Sequence, residues 1–240
     1  MYLFEGKIAV KAAMFSSFRE VVEILIDQSK KDRDTAFILK KAKEANIKTT
    51  RKKREEIDEL CSGTTHGGIC AYVKERCFQS IDEIISENCF LAIVEGVEDP
   101  FNFGFVIRSL YAAGVNALIL PPRNWTSAAA TLAKSSAGAS ELIKMCISEN
   151  WDETLQDLKQ RQVKIICANR DDHSICMYDG DYQGSICLCI GGEKRGLSKA
   201  ILSASDQNVF IPYQNNFRNA LSAASASTIL AFEAMRQRNQ

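Results

Sequence analysis

The chain has 240 residues, 46% of them hydrophobic and 25% charged, which is enough to bury the core of one large globular domain or of two smaller ones. Lysine plus arginine equals aspartate plus glutamate at 30 each, so net charge does not attract a polyanion and only a local basic patch can. No apolar run approaches the roughly 20 residues that span a bilayer, and charges interrupt the apolar N-terminus, unlike a signal peptide. We therefore expect a cytoplasmic protein with no membrane partner.

The nine cysteines are odd in number, and five of them lie in apolar, strand-like runs: Cys89, Cys146, Cys167, Cys187 and Cys189. This placement favours buried, reduced thiols over a disulfide framework, which stays the alternative. The sequence has no C-x-x-C pair, and His66 and His173 stand apart from other metal-ligand motifs. We predict that the protein has no structural metal.

The first 75 residues alternate short strand patterns with helical ones. After the opening stretch "GKIAVKAAMFS", the predicted order is strand, helix, strand, helix and closing strand, carried by "VVEILID", "TAFILKKAKEAN", "IKTT", "KKREEIDELC" and "GGICAYVKE". This pattern predicts a small α/β domain over residues 1–75. Residues 76–89 follow as a linker, with helical character in "RCFQSIDEIISENC".

From residue 90 the pattern changes to longer strand-helix units. Asp99 is placed to cap a helix that Pro100 begins, directly after the apolar strand "FLAIVEGV". Further strands are predicted in "NALILPP", "ELIKMCIS", "VKIICANR", "SICLCI" and "NVFIPY", and a final helix from about residue 219. The alternation predicts a mainly parallel sheet with helices on both sides over residues 90–240. Ligands bind such sheets beyond the carboxyl ends of the strands, so we expect the site in the loops after "VEGV", "LILPP", "LCI" and "FIPY".

Three segments in these loops carry candidate chemistry. In "CIGGEKRGLS", Gly191 and Gly192 allow a ligand to lie against the backbone, although a tight structural turn explains the spacing equally well. In "DPFNFGFVIRSLYAAG", Arg108 either extends along the apolar face as a structural residue or binds phosphate. Asn102 lies six residues earlier, so it shares no helix face with Arg108 unless it sits in an irregular helix entry. The third segment, "FIPYQNNFRNALSAASASTILAFEAM", has small residues that suit a helix packed in a narrow passage, or ordinary helix packing.

In this order, the three segments resemble the three motifs of the SpoU-like (TrmH) RNA methyltransferases of the SPOUT class. The stretch "AKSSAGAS" is similar to the family's connecting segment, and "FEGKIAVKAA" and "THGGICAYV" resemble its small ribosomal-protein-like RNA-binding domain. The resemblance implies an α/β fold with a SPOUT-type parallel sheet and a C-terminal deep trefoil knot, preceded by the small RNA-binding domain. Sequence periodicity alone does not predict a knot, which is a rare exception to connection rules.

The resemblance also implies a set of site residues. Its contacts with S-adenosylmethionine fall on Leu120, Gly191, Gly192, Ile211 and Arg218, of which Leu120 is the weaker candidate. Its polar active-site residues fall on Asn102, Arg108, Glu193 and Asn219. The family usually has Ser-Leu-Asn where this chain has Phe217, Arg218 and Asn219, so Arg218 can keep a cofactor contact only through its backbone.

The implied reaction is methyl transfer from S-adenosylmethionine to a ribose 2′-OH of structured RNA, with rRNA preferred over tRNA, by a homodimer. Arg108 is expected to clamp a phosphate and stabilise the forming alkoxide, while Asn102 and Asn219 orient the hydroxyl. Glu193 is either a structural or dimer-contact carboxylate or a catalytic one. The basic stretch "KKAKEANIKTTRKKRE" is expected to capture RNA, although a solvated charged face is the alternative.

Three other functions are compatible with the sequence. The protein could be a non-catalytic RNA-binding or ribosome-assembly protein that kept the fold and lost activity through the change at Phe217. It could be an enzyme unrelated to RNA that uses a generic α/β nucleotide site. The methyl acceptor could also be a base instead of a ribose.

Overall fold

The computed structural model describes residues 1–123, 127–216 and 219–240. Its strands are β1 Tyr2–Glu5, β2 Val21–Asp27, β3 Lys48–Lys52, β4 Ile69–Val73, β5 Phe90–Glu95, β6 Ala117–Leu120, β7 Lys144–Ile147, β8 Lys164–Ala168, β9 Ile175–Cys176, β10 Ile186–Gly191 and β11 Gln207–Phe210. Its helices are α1 Lys7–Phe15, α2 Arg33–Glu44, α3 Arg54–Leu60, α4 Ile81–Ile84, α5 Pro100–Ala112, α6 Ala129–Ser135, α7 Trp151–Gln160, α8 Lys199–Ser203 and α9 Ala223–Arg238.

The first of two compact units contains residues 1–77 together with 127–142. Its four-stranded sheet has the order β1-β4-β2-β3, in which only β2 and β3 run parallel. The sequence analysis places residues 127–142 in the larger domain, whereas the structure packs them here. Ala129 and Ala133 of α6 are buried against the core that contains Phe4, because their small side chains let the helix approach β1 and α1 closely.

A buried ion pair holds the end of this segment in place. Glu141 Oε2 accepts a hydrogen bond of 2.8 Å from Arg19 Nε, and both side chains are almost inaccessible to solvent. The Arg19 guanidinium also lies 5.0 Å from the centre of the Phe4 ring and donates to the Lys74 carbonyl. Both charges are therefore compensated without access to water.

The second unit contains residues 78–123 and 143–240. Its seven strands have the order β7-β6-β5-β10-β8-β11-β9, and every adjacent pair is parallel. The predicted parallel sheet is confirmed. The strand sequence reverses direction at the junction of β5 and β10, and such a switch point is where open α/β sheets form their crevice. β10 lies in the middle of the sheet with five of its six residues buried, which explains its uninterrupted apolar sequence.

Helices α5 and α9 each begin after a residue whose side chain caps the helix N-terminus. Asp99 Oδ2 accepts from the Asn102 N–H at 2.7 Å, and Pro100 is the first residue of α5, as predicted. Helix α9 begins at Ala223, four residues later than predicted, because the Ser222 hydroxyl caps it by accepting from the Ser225 N–H. Among the residues that the structure describes, no helix is long and apolar enough to cross a membrane.

The five cysteines in apolar runs are all buried, and none forms a disulfide, in agreement with the sequence prediction. Cys187 and Cys189 lie in β10, next to Cys167 of β8. Burial raises the pKa of the Cys189 thiol well above its ordinary value, so this thiol stays protonated at neutral pH. Cys189 therefore acts as a small apolar residue of the sheet.

Candidate functional site

A cavity of about 370 Å³ opens at the carboxyl ends of β8, β10 and β11. Residues 168–170, 190–193 and 209–211 line it from the strand ends. Ala223, Ala226 and Leu230 line it from helix α9, and residues 219–221 lead into that helix. The small side chains of α9 thus leave room for a ligand where a larger residue would fill the space.

Gly191 and Gly192 form one wall of this cavity, and the neighbouring backbone leaves no space for a side chain at either position. A Cβ on Gly191 would lie 2.4 Å from the Gly196 carbonyl carbon and 2.6 Å from the Leu197 nitrogen. A Cβ on Gly192 would lie 2.1 Å from the Gly96 carbonyl oxygen, in the loop after β5. The Gly192 N–H donates to the Glu95 carbonyl at 2.7 Å, which holds the two loops at this distance. The wall of the cavity is therefore backbone.

Residues 192–196 form a tight hairpin beside the cavity, which we call the 192–196 hairpin. The Gly196 N–H donates to the Gly192 carbonyl at 2.9 Å, and Gly196 adopts a φ of +64° that favours glycine. Lys194 and Arg195 form the tip of the hairpin and are exposed. The charges noted in "GGEKRG" therefore project from a short, closed turn.

Glu193 ties the hairpin to helix α9. Its Oε1 accepts from the Ala223 N–H at 3.3 Å, at the first residue of the helix, where the helix dipole favours a negative charge. Nearby, Glu95 Oε2 accepts from the Ser198 N–H at 2.6 Å. These contacts favour the structural interpretation of Glu193, because its carboxylate already holds two chain segments together.

Helix α5 carries the two remaining polar candidates on different faces. Asn102 is the third residue of the helix and its backbone N–H is capped by Asp99, so the irregular entry required for convergence with Arg108 does not occur. Six helical residues at about 100° each leave the two side chains about 120° apart. Both residues are exposed, and neither is among the described residues that line the cavity.

The structure brings five of the predicted residues to the cavity: Gly191, Gly192, Glu193, Ile211 and Asn219. Leu120 is fully buried at the end of β6 and does not line it. Arg218 lies outside the described residues. Within the part of the chain that is described, no group of three or more His, Cys, Asp or Glu side chains is placed to hold a metal ion.

The sequence analysis missed the contribution of the loop after β8. Ala168, Asn169 and Arg170 line the cavity, and the Arg170 guanidinium lies 5.7 Å from the Phe210 ring centre and 5.9 Å from that of Tyr213. At these distances a cation is attracted to the faces of both rings. The signal was present in "VKIICANR", because this predicted strand ends at the same edge of the sheet as the other site loops.

The cavity can hold an elongated, partly apolar ligand against backbone groups and small side chains. Glycine at 191 and 192 lets such a ligand approach main-chain N–H and C=O groups, and α9 supplies an apolar wall. A positively charged residue, Arg170, lies at its border. This arrangement suits a small-molecule cofactor held largely by backbone contacts.

Comparison with known proteins gives consistent matches along the chain. Residues 90–232 match the SpoU rRNA Methylase family, and residues 3–78 match a family described as RNA 2′-O ribose methyltransferase substrate binding. The chain is 29% identical over 235 residues to the 23S rRNA (guanosine-2′-O-)-methyltransferase RlmB of Shewanella oneidensis, covering 96% of this chain and 95% of that protein. It is 30% identical over 234 residues to RlmB of Bordetella pertussis, with the same coverage of both chains.

A solved structure shares the fold. The SpoU methyltransferase AviRb from Streptomyces viridochromogenes, crystallised in complex with the cofactor AdoMet, superposes with a TM-score of 0.83 at 23% identity. The match covers 100% of this chain and 91% of that one.

Proposed function

This chain belongs to the SpoU rRNA methylase family, and from that premise we propose that it methylates a ribose 2′-hydroxyl of ribosomal RNA with S-adenosylmethionine as donor. The predicted family is confirmed, and with it the activity class and the cofactor that the family uses. The acceptor is proposed to be a guanosine of 23S rRNA, because the relatives that align with nearly the whole chain are named for that reaction.

The observation that carries the proposal is the glycine-walled cavity at the carboxyl ends of β8, β10 and β11. Its backbone wall at Gly191 and Gly192 and its small residues on α9 fit a cofactor that has both apolar and hydrogen-bonding parts. S-adenosylmethionine supplies an electrophilic methyl group on a sulfonium when it is bound. Positioning an acceptor in line with such a group contributes up to roughly 7–11 kcal/mol in well-aligned models, so the chain acts mainly by holding its reactants.

We assign the cofactor contacts to Gly191, Gly192 and Ile211, which line the cavity together. The backbone of Arg218 is proposed as a further contact, since it follows the loop from Ile211 in sequence. Leu120 has less support because it is buried away from the lining, and we propose that it contributes only by packing at the end of β6.

Arg108 is the proposed residue for the acceptor side. A guanidinium stays charged in proteins, so Arg108 is proposed to clamp a phosphate and to stabilise the negative charge that develops on the 2′-oxygen instead of accepting a proton. As the O–C bond forms and the S–C bond of the donor breaks, the hydroxyl proton leaves to solvent. No other described side chain forms a hydrogen bond or ion pair with Arg108, which leaves the guanidinium available for RNA. Asn219, which lines the cavity, is proposed to orient the hydroxyl, and Glu193 to act as the structural carboxylate that fixes the hairpin. Asn102 lies about 120° around α5 from Arg108, so we assign it no role beside Arg108 on the same hydroxyl.

We propose a homodimer that forms through the outer faces of α5 and α9. Phe101 and Phe105 on α5 are 56% and 47% exposed, and Phe232 on α9 is 40% exposed. Large apolar side chains grouped on adjacent helices suit burial in a protein interface. The two helices pack on each other and are joined by a hydrogen bond of 2.6 Å between Thr228 and Ser109, so these side chains belong to one continuous surface.

The proposed domain arrangement is an RNA-binding domain over residues 1–75, a linker over 76–89 and a knotted methyltransferase domain over 90–240, of which residues 127–142 pack on the first unit. The match of residues 3–78 to a substrate-binding family supports RNA capture by the first domain. The deep trefoil knot is proposed for the C-terminal part on family grounds, with the close approach of Gly192 to Gly96 as a supporting contact. A ribosomal RNA substrate supports a cytoplasmic location.

The test is transfer of labelled methyl from S-adenosylmethionine to rRNA that lacks the modification. We expect label in 23S rRNA, and mass analysis after nuclease digestion should recover 2′-O-methylguanosine. RNA binding without methyl incorporation into any rRNA or tRNA would refute the proposal and favour a non-catalytic assembly protein. Label recovered on a base would refute the ribose assignment alone.

A further inference from the structure

Three of the cations that the structure describes border the cavity and have no carboxylate partner among the described residues. Arg170 lines it, and Lys194 and Arg195 lie at the tip of the 192–196 hairpin, whose Glu193 and Gly196 also line it. No described residue forms an ion pair or hydrogen bond with any of the three. We call these three residues the cationic rim.

Several other cations of the same unit are paired with carboxylates. Lys164 is bonded to Asp181, and Arg161 is bonded to Asp157 and Asp82. Three unpaired positive charges beside one opening repel each other, and an anionic ligand would relieve that repulsion. The carboxylate nearest to the rim, that of Glu193, is already bonded to the Ala223 N–H, so the rim differs from the ion-paired positions of this unit.

The protein holds the rim in a defined geometry. The Gly192 to Gly196 hydrogen bond closes the hairpin, and Glu193 anchors it to the start of α9. The Arg170 guanidinium is held over the faces of two aromatic rings, which leaves its N–H edges available. The backbone that carries Lys194 and Arg195 and the guanidinium of Arg170 are thus held before binding, which lowers the conformational entropy that is lost when a ligand arrives.

The anionic ligand that we expect at the rim is the phosphate of the RNA substrate. The chain as a whole has no net charge, so RNA can be attracted only by local groups of cations. A ribose that reaches the methyl donor brings the phosphates on its two sides to the mouth of the cavity. Phosphate contacts fix the position of a nucleic acid without reading its sequence.

We propose that Arg170, Lys194 and Arg195 bind the RNA phosphates that flank the acceptor nucleotide and so seat its ribose over the cofactor site. This inference rests on the proposed function, and it assigns the rim to the RNA backbone and not to base recognition. Arg170, Lys194 and Arg195 are positioning residues in this scheme, because they act on the RNA and not on the reacting oxygen.

The experiment measures RNA affinity as a function of salt for the double variant Lys194→Gln, Arg195→Gln, with total 23S rRNA as the probe. Each lost phosphate contact lowers the slope of log affinity against log salt by about 0.7–0.9. The double variant loses two contacts. When the salt concentration is raised from about 50 to about 200 mM, the RNA affinity of the wild type should therefore fall by a factor about 7 to 12 times larger than the factor by which the RNA affinity of the variant falls. The single variant Arg170→Gln should lower the slope by about half as much.

Lys159→Gln is the matched control, because Lys159 lies on α7, does not line the cavity and is only weakly paired, at 3.8 Å from Asp206. Its salt slope should equal that of wild type. The affinity of the double variant for S-adenosylhomocysteine should stay within about twofold of wild type, which shows that the cavity is intact.

An unchanged salt slope in the double variant, with wild-type affinity for S-adenosylhomocysteine, would overturn the proposal. Arg170→Gln with a wild-type slope and at least tenfold weaker S-adenosylhomocysteine binding would remove Arg170 from the rim and assign it to the cofactor. Wild-type protein that binds S-adenosylhomocysteine but methylates no RNA would instead refute the proposed function, so the two failures are distinguishable.

Discussion

Gly192→Ala tests whether the backbone wall of the cavity is needed. Gly192 does not have the positive φ that favours glycine, so we attribute the effect to the added Cβ, which would lie 2.1 Å from the Gly96 oxygen and 2.5 Å from its carbonyl carbon. Both are backbone atoms and cannot rotate away, so the loops after β5 and β10 must separate. Overpacking of this kind costs about 1–3 kcal/mol. The lower backbone entropy of alanine in the unfolded chain offsets about 0.4–1 kcal/mol of it.

The loop movement should also weaken cofactor binding. Gly192 lines the cavity and donates to the Glu95 carbonyl, so a shift at this point disturbs the backbone that faces the ligand. We expect at least tenfold weaker binding of S-adenosylhomocysteine by calorimetry, which corresponds to about 1.4 kcal/mol. Urea unfolding measures the accompanying loss of stability.

Gly184→Ala is the matched control for this variant. Gly184 has a φ of +73° with no atom within 4 Å of the added Cβ, and it does not line the cavity. Its left-handed backbone makes alanine unfavourable by about 1–2 kcal/mol before the same entropic offset, a loss similar to that expected at Gly192. S-adenosylhomocysteine affinity should be unchanged. Wild-type stability and wild-type affinity in Gly192→Ala would refute the close contact between the two loops.

Three further variants test other parts of the molecule. Arg108→Ala should abolish methyl transfer to rRNA while S-adenosylhomocysteine binds within about threefold of wild type; normal turnover would refute the active-site assignment. Glu141→Gln should lower the free energy of unfolding by about 3–5 kcal/mol, because it leaves Arg19 buried without its partner, and a change below about 1 kcal/mol in urea titrations would contradict this. The Ser29 backbone N–H and hydroxyl donate to Asp27 and hold the pKa of this carboxyl below its ordinary value, so the ionised Asp27 stabilises the folded state. This contribution to the free energy of unfolding is complete above about pH 4 and is lost as the pH falls further. Asp27→Asn should therefore lower stability at neutral pH and flatten the decline in acid, as followed by urea unfolding at several pH values; an unaltered acid decline would show that Asp27 does not cause it.

Sequence reasoning predicts the parallel sheet well because its strands are continuous apolar runs. β5 and β10 begin and end close to where the apolar residues do, and the capping of α5 by Asp99 follows from residue types alone. It also predicts the edge of the sheet at which the cavity opens. Strand order is a different matter, since the pairing of β10 between β5 and β8 depends on contacts between residues far apart in the chain.

Two features had no local signal. The contact between Gly192 and Gly96 joins loops almost a hundred residues apart, and neither glycine predicts its partner. The two-residue strand β9 is too short for an alternating pattern. The position of Asn102 inside α5 was foreseeable from the Asp99 cap, because a capped helix with proline at its first position leaves no irregular entry.

The packing of residues 127–142 on the first unit affects how the protein can be divided. This segment lies between β6 and β7 of the second unit in sequence, so its compact units are not consecutive stretches of chain. A fragment that stops near residue 78 would expose the apolar surface that normally covers Ala129 and Ala133, and would leave the Arg19 charge without Glu141. Fragments that end near residue 78 should therefore aggregate. A stable N-terminal fragment for RNA-binding studies should carry residues 127–142, joined to residues 1–77 through a short linker.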